Sequence, residues 1–128
     1  MKFIQTDQAP SPAGHYSQAV TFDNLIFVSG QLPINPATNE KINGSIQEQA
    51  HQVFKNVGSV LKASGSDFNH VLKSTVYITD ISLWDEVNTI YADYFGEHRP
   101  ARAIVPVRDL HFGFKIEKKY SGLVKKLD

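Results

Sequence analysis

The chain has 128 residues, with 41% hydrophobic and 20% charged side chains, enough for one domain with a single core. Lysine plus arginine equals aspartate plus glutamate at 13 each, so the net charge provides no footprint for nucleic acid or an anionic membrane. The absence of cysteine excludes disulfides, thiol catalysis and cysteine-ligated metals. No N-terminal apolar run has the length of a signal peptide or membrane span, so we expect one cytoplasmic domain over residues 1–128.

The N-terminal quarter of the chain predicts a β-hairpin. Residues 1–12, which contain two prolines, are expected to form an extended lead-in that does not pack. Apolar and polar residues alternate over Tyr16–Phe22, and Asp23–Asn24 separates this strand from Leu25–Val28. The second strand ends at Ser29-Gly30-Gln31, where glycine allows a close approach by another chain or a ligand.

A first helix is predicted between Ser45 and Gly65. Ser45 and Glu48 form a capping box, and Gly65 marks the end of the helix. The residues of its apolar face are Ile46, Ala50, Val53, Phe54, Val57, Val60 and Leu61. Residues 71–79 are rich in β-branched side chains and predict a strand. A helix between two strands indicates a crossover between parallel strands.

A second helix follows, capped by either Asp80 or Ser82 and ended by Gly96. Its apolar stripe consists of Trp84, Val87, Tyr91, Tyr94 and Phe95. Asn88 lies within that stripe, and a buried amide without partners costs roughly 1–3 kcal/mol, so we expect Asn88 to have a defined partner. Two interpretations remain open: Asn88 bonds a nearby backbone group, or it lines or braces a functional site.

The next predicted strand, over residues 99–107, carries a candidate anion-binding residue. Arg102 projects from the opposite face to Val105 and Val107 because successive strand residues alternate. Pro106 cannot donate to a ladder, which indicates an edge strand, a bulge or an unpaired stretch. A planar guanidinium on a strand is suited to holding a carboxylate through two parallel hydrogen bonds, although a solvated strand-end arginine is the alternative.

The last strand is predicted over Phe114–Val124. Ile116 and Tyr120 share one face, Glu117 lies on the other, and Lys118 falls on the apolar face, where it is costly unless its ammonium reaches solvent. This order of elements predicts an α+β sandwich with two helices on one face of a mixed sheet. Because the strands are apolar on both faces, the uncovered face predicts an oligomer.

Several motifs of established enzyme classes are absent from the sequence. No phosphate-binding glycine loop follows a strand, and no serine has the context of a nucleophile elbow. The five histidines are scattered without metal-ligand spacing. We therefore expect neither a metal nor a cofactor, and the candidate site residues are the arginine, a glutamate, a tyrosine and Asn88.

A series of short motifs resembles one protein family along nearly the whole chain. The motifs are Gly14-His15-Tyr16-Ser17-Gln18-Ala19, Val28-Ser29-Gly30-Gln31-Leu32-Pro33, Val76-Tyr77-Ile78-Thr79-Asp80, Val87-Asn88, Pro100-Ala101-Arg102-Ala103 and Lys115-Ile116-Glu117. In these residues the chain resembles the reactive intermediate deaminases, also called RidA or YjgF-like proteins. The resemblance implies a chorismate-mutase-like (YjgF-like) fold and a homotrimer with three sites at the subunit clefts. It also implies cofactor-independent hydrolysis of 2-imino acids, or their enamine tautomers, to 2-keto acids and ammonia.

The same resemblance implies roles for individual residues. Arg102 would hold the substrate carboxylate, and Glu117 would orient or activate a water near the imine carbon. The residues implied to shape the pocket are Tyr16, Ser29, Gly30, Asn88 and Ile104, with backbone groups contributing at Gly30 and Ile104. Hydrolysis of an electrophilic imine needs orientation and a placed water more than a metal or a strong nucleophile.

Four residues depart from the family pattern. His15 and His111 each stand where a proline is usual, and Ile104 stands where cysteine is frequent. Lys118 stands where the pattern has an apolar residue. None of the four removes a group expected to act in catalysis, but together they put the substrate range and the packing of the last strand in question.

Two other functions remain as alternatives. One is a non-catalytic trimer that recognises small carboxylates through Arg102 and serves as a sensor. The other is an endoribonuclease, against which the balanced charge argues because no basic stripe is present. The expected partners are small 2-imino and 2-keto carboxylates and other copies of the chain, with neither a membrane nor nucleic acid.

Overall fold

The computed structural model describes residues 1–124, so the last four residues of the predicted domain lie outside it. Its strands are β1 Lys2–Ile4, β2 Ala19–Phe22, β3 Leu25–Gln31, β4 Val71–Ile78, β5 Ala101–Pro106 and β6 Ile116–Leu123. Its helices are α1 Ile46–Ala63 and α2 Trp84–Phe95, and 3-10 turns lie at Phe68–His70, Ile81–Leu83 and His111–Gly113. These elements form the α+β sandwich that the sequence predicts.

The six strands form one mixed sheet in the spatial order β1-β2-β3-β6-β4-β5. Strand β6 is antiparallel to both β3 and β4, so β3 and β4 run parallel to each other, as the predicted crossover through α1 requires. Helix α2 connects β4 to β5, and these two strands pair directly in parallel. Strand β5 is therefore an outer strand of the sheet, which explains how Pro106 is accommodated.

Two N-terminal predictions are wrong. The lead-in contains β1, which pairs with β2 through Phe3 and Val20, so part of it belongs to the sheet. The first hairpin strand begins at Ala19, not at Tyr16. The cause is Gln18, a buried side chain that exchanges hydrogen bonds with the Thr6 backbone at 2.7 and 3.0 Å and packs the lead-in against the domain.

The helix boundaries follow local signals in the sequence. The Ser45 hydroxyl accepts from the Glu48 N–H at 3.2 Å, which confirms the capping box. Asp80 is the residue that caps, since its carboxylate accepts from the Ser82 N–H at 2.8 Å, but it caps the 3-10 turn that leads into α2. The pKa of Asp80 is lowered by this backbone hydrogen bond.

Both helices pack on one face of the sheet, and the core lies between the two layers. All seven residues predicted for the apolar face of α1 are buried. Phe54 of α1 lies at the centre, stacked on Tyr94 with ring centroids 4.3 Å apart and edge-on to Tyr91 at 5.9 Å. Burial of each large apolar side chain contributes about 1.5–3 kcal/mol, so this layer is a main source of stability.

The opposite face of the sheet is not covered by any helix within residues 1–124. Exposed apolar side chains on this face and its margins include Phe3, Phe22, Leu25, Phe27, Leu72 and Val105. Phe27 is 52% exposed although it lies in the interior of a seven-residue strand. This confirms the predicted uncovered apolar face, a feature that marks interaction surfaces. No helix of the described part has both the length and the apolar character needed to cross a membrane.

Candidate functional site

Arg102 lies near the start of β5 and faces the helix layer, because it pairs with the buried Ser74 of β4. Its Nη1 donates to the Asn88 Oδ1 at 2.7 Å. Asn88 therefore has the defined partner that the sequence requires, and the partner is a candidate site residue and not a nearby backbone group. The guanidinium makes no other hydrogen bond within residues 1–124, so its remaining N–H groups can receive an anion.

Aromatic rings complete the support of the guanidinium. The Arg102 Cζ lies 4.7 Å from the centroid of the Tyr91 ring and 5.6 Å from that of Trp84. Tyr91 lies three residues after Asn88, so both contacts come from the same face of α2. Beside Arg102 is a cleft of about 530 Å³, in whose wall the His98 Nε2–H donates to the Val71 carbonyl at 2.7 Å.

Glu117 lies on β6 against a bulge in β3. The register of β3 with β6 shifts between Val28 and Gln31, and Gly30 lies in the shifted segment. A Cβ placed on Gly30 would lie 2.9 Å from the Glu117 Oε1 and 3.0 Å from its carboxyl carbon. The missing side chain of Gly30 is therefore what allows the carboxylate to lie against the backbone of the neighbouring strand.

The environment of Glu117 favours its protonated form. Partial burial raises the pKa of this carboxyl group above its ordinary value, and the nearby His111 and Lys119 oppose the shift in part. A glutamate with a raised pKa is better matched to proton transfer near neutral pH than a solvated one. His111, one of the departures from the family pattern, therefore lies close enough to influence this carboxylate.

Ser29 and Tyr16 lie near the same bulge. The Ser29 hydroxyl donates to the Ser17 carbonyl at 2.5 Å, and its backbone N–H donates to the Gln18 carbonyl at 2.9 Å. Tyr16 is 52% exposed, and its hydroxyl oxygen accepts from the Ala13 N–H at 3.3 Å. Tyr16 and Ser29 line one surface depression together with His15.

Ile104 belongs to the other side of the molecule. It pairs with the buried Val76 and packs, partly buried, against the core. Its side chain therefore lies in the helix layer two residues along β5 from Arg102.

The candidate residues thus form two groups on opposite faces of the sheet. Arg102 pairs with Ser74 and lies on the helix-covered face of the sheet. Glu117 pairs with Tyr77, three residues further along β4, and therefore lies on the opposite, open face. The Arg102 group contains Asn88, Arg102 and Ile104, and the Glu117 group contains Tyr16, Ser29, Gly30 and Glu117. Within one copy of the chain, the guanidinium and the carboxylate cannot contact the same small substrate.

The Lys118 ammonium does not reach solvent, so the free-energy cost of burying this side chain is not relieved by water. The side chain is 0% exposed, and its Nζ lies 2.9 Å from the centroid of the Phe54 ring with no hydrogen-bond partner. Burial, and to a lesser degree the charge of Arg102, lowers the pKa of Lys118 well below its usual value.

The sequence pattern places Tyr91 in the apolar stripe of α2 and gives no link between this ring and Arg102. The contact could have been predicted from spacing, because residues three positions apart lie on the same face of a helix and Tyr91 follows Asn88 by three. The sequence likewise gives no link between His111 and Glu117. His111 lies in a 3-10 turn before β6, and neighbouring residues do not determine the course of that loop. Within residues 1–124, no group of three or more histidine, aspartate and glutamate side chains could hold a metal ion.

The fold and the two residue groups together describe an α+β sandwich with an exposed arginine on an outer strand and a partly buried carboxylate on the open face. Residues 6–121 match the family described as Endoribonuclease L-PSP. The chain is 45% identical to the 2-iminobutanoate/2-iminopropanoate deaminase of Rattus norvegicus over 116 residues, 91% of this chain and 85% of that protein. It is also 45% identical to a RutC family protein of Pyrococcus horikoshii over 107 residues, 84% of this chain and 85% of that protein.

Solved structures agree with these sequence relations. The crystal structure of RidA from an Antarctic Psychrobacter species superposes with a TM-score of 0.93 at 38% identity, covering 97% of this chain and all of that one. The chain belongs to the RidA (YjgF) family. The fold implied by the resemblance is therefore confirmed.

Proposed function

We propose that this protein is an enamine/imine deaminase, which hydrolyses small 2-imino acids such as 2-iminopropanoate and 2-iminobutanoate to 2-keto acids and ammonia. The observation that carries the proposal is the orientation of Arg102. Asn88 at 2.7 Å and the Tyr91 ring at 4.7 Å hold the guanidinium at an open cleft, with N–H groups left to bind a carboxylate. Family membership supports the same chemistry, because relatives of this length carry the deaminase name.

The proposed reaction needs few groups. Arg102 holds the carboxylate of the imino acid and so fixes the imine carbon in space. Glu117 accepts a proton from a water as its oxygen bonds to that carbon, and the C=N π electrons move to nitrogen. Glu117 then passes this proton to the amino group. As the C–N bond breaks, the hydroxyl group gives its own proton to Glu117 and its oxygen forms the C=O bond, so the keto acid and ammonia leave. The raised pKa of Glu117 suits both the uptake and the return of the proton.

The proposed site is completed by a second copy of the chain. Arg102 and Glu117 lie on opposite faces of one sheet, so both can contact one substrate only if they come from different subunits. The uncovered apolar face provides the surface for this association, and a homotrimer with three shared sites is the assembly we propose. Tyr16, Ser29, Gly30 and Ile104 would shape the cleft around the substrate.

The deciding experiment is turnover of imines generated in place. A pyridoxal-phosphate dehydratase acting on threonine or serine releases 2-iminobutanoate or 2-aminoacrylate, and the release of keto acid is followed with and without the protein. We expect acceleration, greatest for one of these two parent amino acids. Equal rates with and without the protein, together with retained binding of a 2-keto acid, would instead support the carboxylate-sensing alternative.

Assembly is measured separately by light scattering. A trimer mass at micromolar concentration is expected, and a monomer mass would contradict the shared-site arrangement. The endoribonuclease alternative is favoured by the family description and by the names that some solved relatives carry. RNA cleavage that survives purification and is abolished by Arg102→Ala would support that alternative in place of imine hydrolysis.

A further inference from the structure

Four buried polar atoms that make no hydrogen bond of ordinary geometry lie together beneath the Arg102 group. They are the Ser74 Oγ, the Tyr91 Oη, the Lys118 Nζ and the Tyr120 Oη. Ser74 is at the centre of this cluster, because it pairs with Arg102 on one side and with Tyr120 on the other. Its hydroxyl is close enough to both phenols to lower their pKa, although burial raises each of these pKa values by more. Neither deaminase chemistry nor packing explains why a lysine is placed here.

Lys118 is the member of this cluster that carries a titratable amine. Its Nζ lies between two rings, 2.9 Å from the Phe54 centroid and 4.8 Å from the Tyr91 centroid. No carboxylate within residues 1–124 pairs with it, so a charge on this nitrogen would lack both water and a counter-ion. These surroundings favour the neutral amine.

Arg102 lies over the same Tyr91 ring, with its Cζ 4.7 Å from the centroid. The charged and titratable groups around Lys118 are therefore Arg102 from β5, Tyr91 from α2 and Tyr120 from its own strand, while α1 contributes the uncharged Phe54. Two cations on one ring repel each other across a poorly screened region. An arginine side chain does not lose its proton in proteins, so this repulsion acts against a proton on the buried amine.

We propose that Lys118 and Arg102 form a charge-coupled pair at the Tyr91 ring, in which the buried amine is neutral while the guanidinium is unoccupied and takes up a proton when a carboxylate binds there. The second half of this proposal rests on the proposed function, since it requires that Arg102 binds a carboxylate. Lys118 does not touch the substrate in this scheme and acts through Arg102 and Tyr91.

The coupling follows from thermodynamic linkage. A carboxylate on Arg102 cancels the positive charge that disfavours a proton on Lys118, so binding increases the proton affinity of the amine. By reciprocity, lowering the pH toward the range in which Lys118 titrates tightens carboxylate binding. A lysine retained in the core only for its volume would show neither effect.

The first test needs no ligand. The free energy of unfolding is measured for the wild type, Lys118→Met, Arg102→Gln and the double variant, between about pH 5.5 and 9, where strongly shifted lysines titrate. Methionine preserves the length of the side chain and suits the apolar site, so this variant is expected to fold and to gain stability. We expect Arg102→Gln to stabilise the protein only where Lys118 is present, with a coupling that grows as the pH falls. Additive effects at every pH would overturn the proposal.

The second test measures proton uptake on binding. Titration calorimetry with 2-oxobutanoate, a non-hydrolysable 2-keto acid, is carried out in two buffers of different ionisation enthalpy. The wild type is expected to take up protons and, at the lower pH, to bind roughly fivefold or more tightly than Lys118→Met. Glu117→Gln is the control for the other titrating group and should retain the uptake that depends on Lys118.

The outcomes separate the two proposals. Binding with the same proton uptake in the wild type and Lys118→Met overturns the coupling and leaves the carboxylate site intact. A wild type that binds no 2-keto acid overturns both the proposed function and the proton uptake on binding. In that case a coupling observed in the unfolding experiment would still establish the interaction of Lys118 with Arg102.

Discussion

The Arg102 and Glu117 regions position their functional groups by opposite means. Arg102 is oriented by what touches it, an amide at 2.7 Å and an aromatic ring at 4.7 Å. Glu117 is oriented by what is missing, because the bare Gly30 leaves room that a single Cβ would fill. The first arrangement is weakened by removing atoms, and the second is disturbed by adding them. Substitutions should therefore distinguish the two regions by their direction as well as by their size.

The largest effect is expected for Glu117→Gln, which keeps the shape of the side chain and removes its basicity. A positioned general base contributes about 10²–10⁴-fold, so imine turnover should fall within that range while the affinity for a 2-keto acid changes little. Glu40→Gln, a change at an exposed glutamate, is the matched control. Unchanged turnover in Glu117→Gln would show that Glu117 has no part in catalysis.

The pH dependence provides a second view of Glu117. Because its folded-state pKa is raised, the active ionised form appears at higher pH than for an ordinary glutamate, and wild-type turnover should rise with pH through that range. The folded state binds more protons there than the unfolded state, so this group makes stability fall as the pH rises from the unfolded pKa to the folded one. Both trends should be absent from Glu117→Gln.

The next effect is expected for Arg102→Lys, which keeps the charge and loses the planar fork. A single flexible donor cannot fix the imine carbon, so turnover should fall on the order of 10²-fold with a weaker affinity as well. Thermal unfolding should change little because the guanidinium is exposed. Arg108→Lys, at an arginine in the following loop that is 98% exposed, is the matched control. Near-full activity of Arg102→Lys would show that only charge matters at this position.

A smaller loss is expected for Gly30→Ala, the substitution that adds atoms. The new methyl group would meet the flexible end of Glu117, so the carboxylate should move while the fold persists. Misplacement of a catalytic group on this scale costs roughly 10-fold to 10²-fold in rate. In Gly14→Ala, by contrast, the new Cβ would only reach ordinary contact with the Tyr16 ring at 3.6 Å. A Gly30→Ala protein with full turnover would contradict the role assigned to the bare backbone.

The smallest effect is expected for Asn88→Ala, which removes the hydrogen bond to Arg102 and leaves its contacts with the Tyr91 and Trp84 rings. The guanidinium is exposed and water can replace the amide, so we expect turnover to decrease by about fivefold to tenfold. Thr89→Ala, on the exposed side of the same helix, controls for helix propensity. Equal activities of the two variants would mean that the aromatic rings orient Arg102 without the Asn88 amide.

The parts of the fold that depend on neighbouring residues could be predicted from the sequence. The Ser45–Glu48 capping box, the apolar face of α1 and the glycine that ends α2 are all local signals, and the structure contains each of them. The pairing of β1 with β2 and the insertion of β6 between β3 and β4 depend on contacts between distant segments. The alternation of apolar and polar residues along a strand does not determine which strand it pairs with or in which register. The early start assigned to the first hairpin strand failed for the same reason, since the Gln18 side chain binds the backbone of Thr6.

The candidate site was predictable as a set of residues but not as an arrangement. Alternation along a strand indicates which side of that strand Arg102 or Glu117 occupies. It does not indicate how the face of one strand relates to the face of another, because that relation is set by pairing through β4. The division into two groups, on which the proposed second copy rests, therefore emerges only from the folded sheet.

The position of β6 between β3 and β4 also has a consequence for folding during translation. The two strands on either side of β6 are translated well before it, and neither can complete its pairing until residues 116–123 leave the exit tunnel. Until then β1-β2-β3 and β4-β5 are two separate groups of strands, and the apolar helix faces have no complete sheet to pack on, which leaves apolar surface exposed to aggregation. The strand that closes the sheet is also the strand that carries Glu117. A translation product truncated before β6 would therefore lack both the strand that completes the sheet and the Glu117 carboxylate, and we expect it to be degraded.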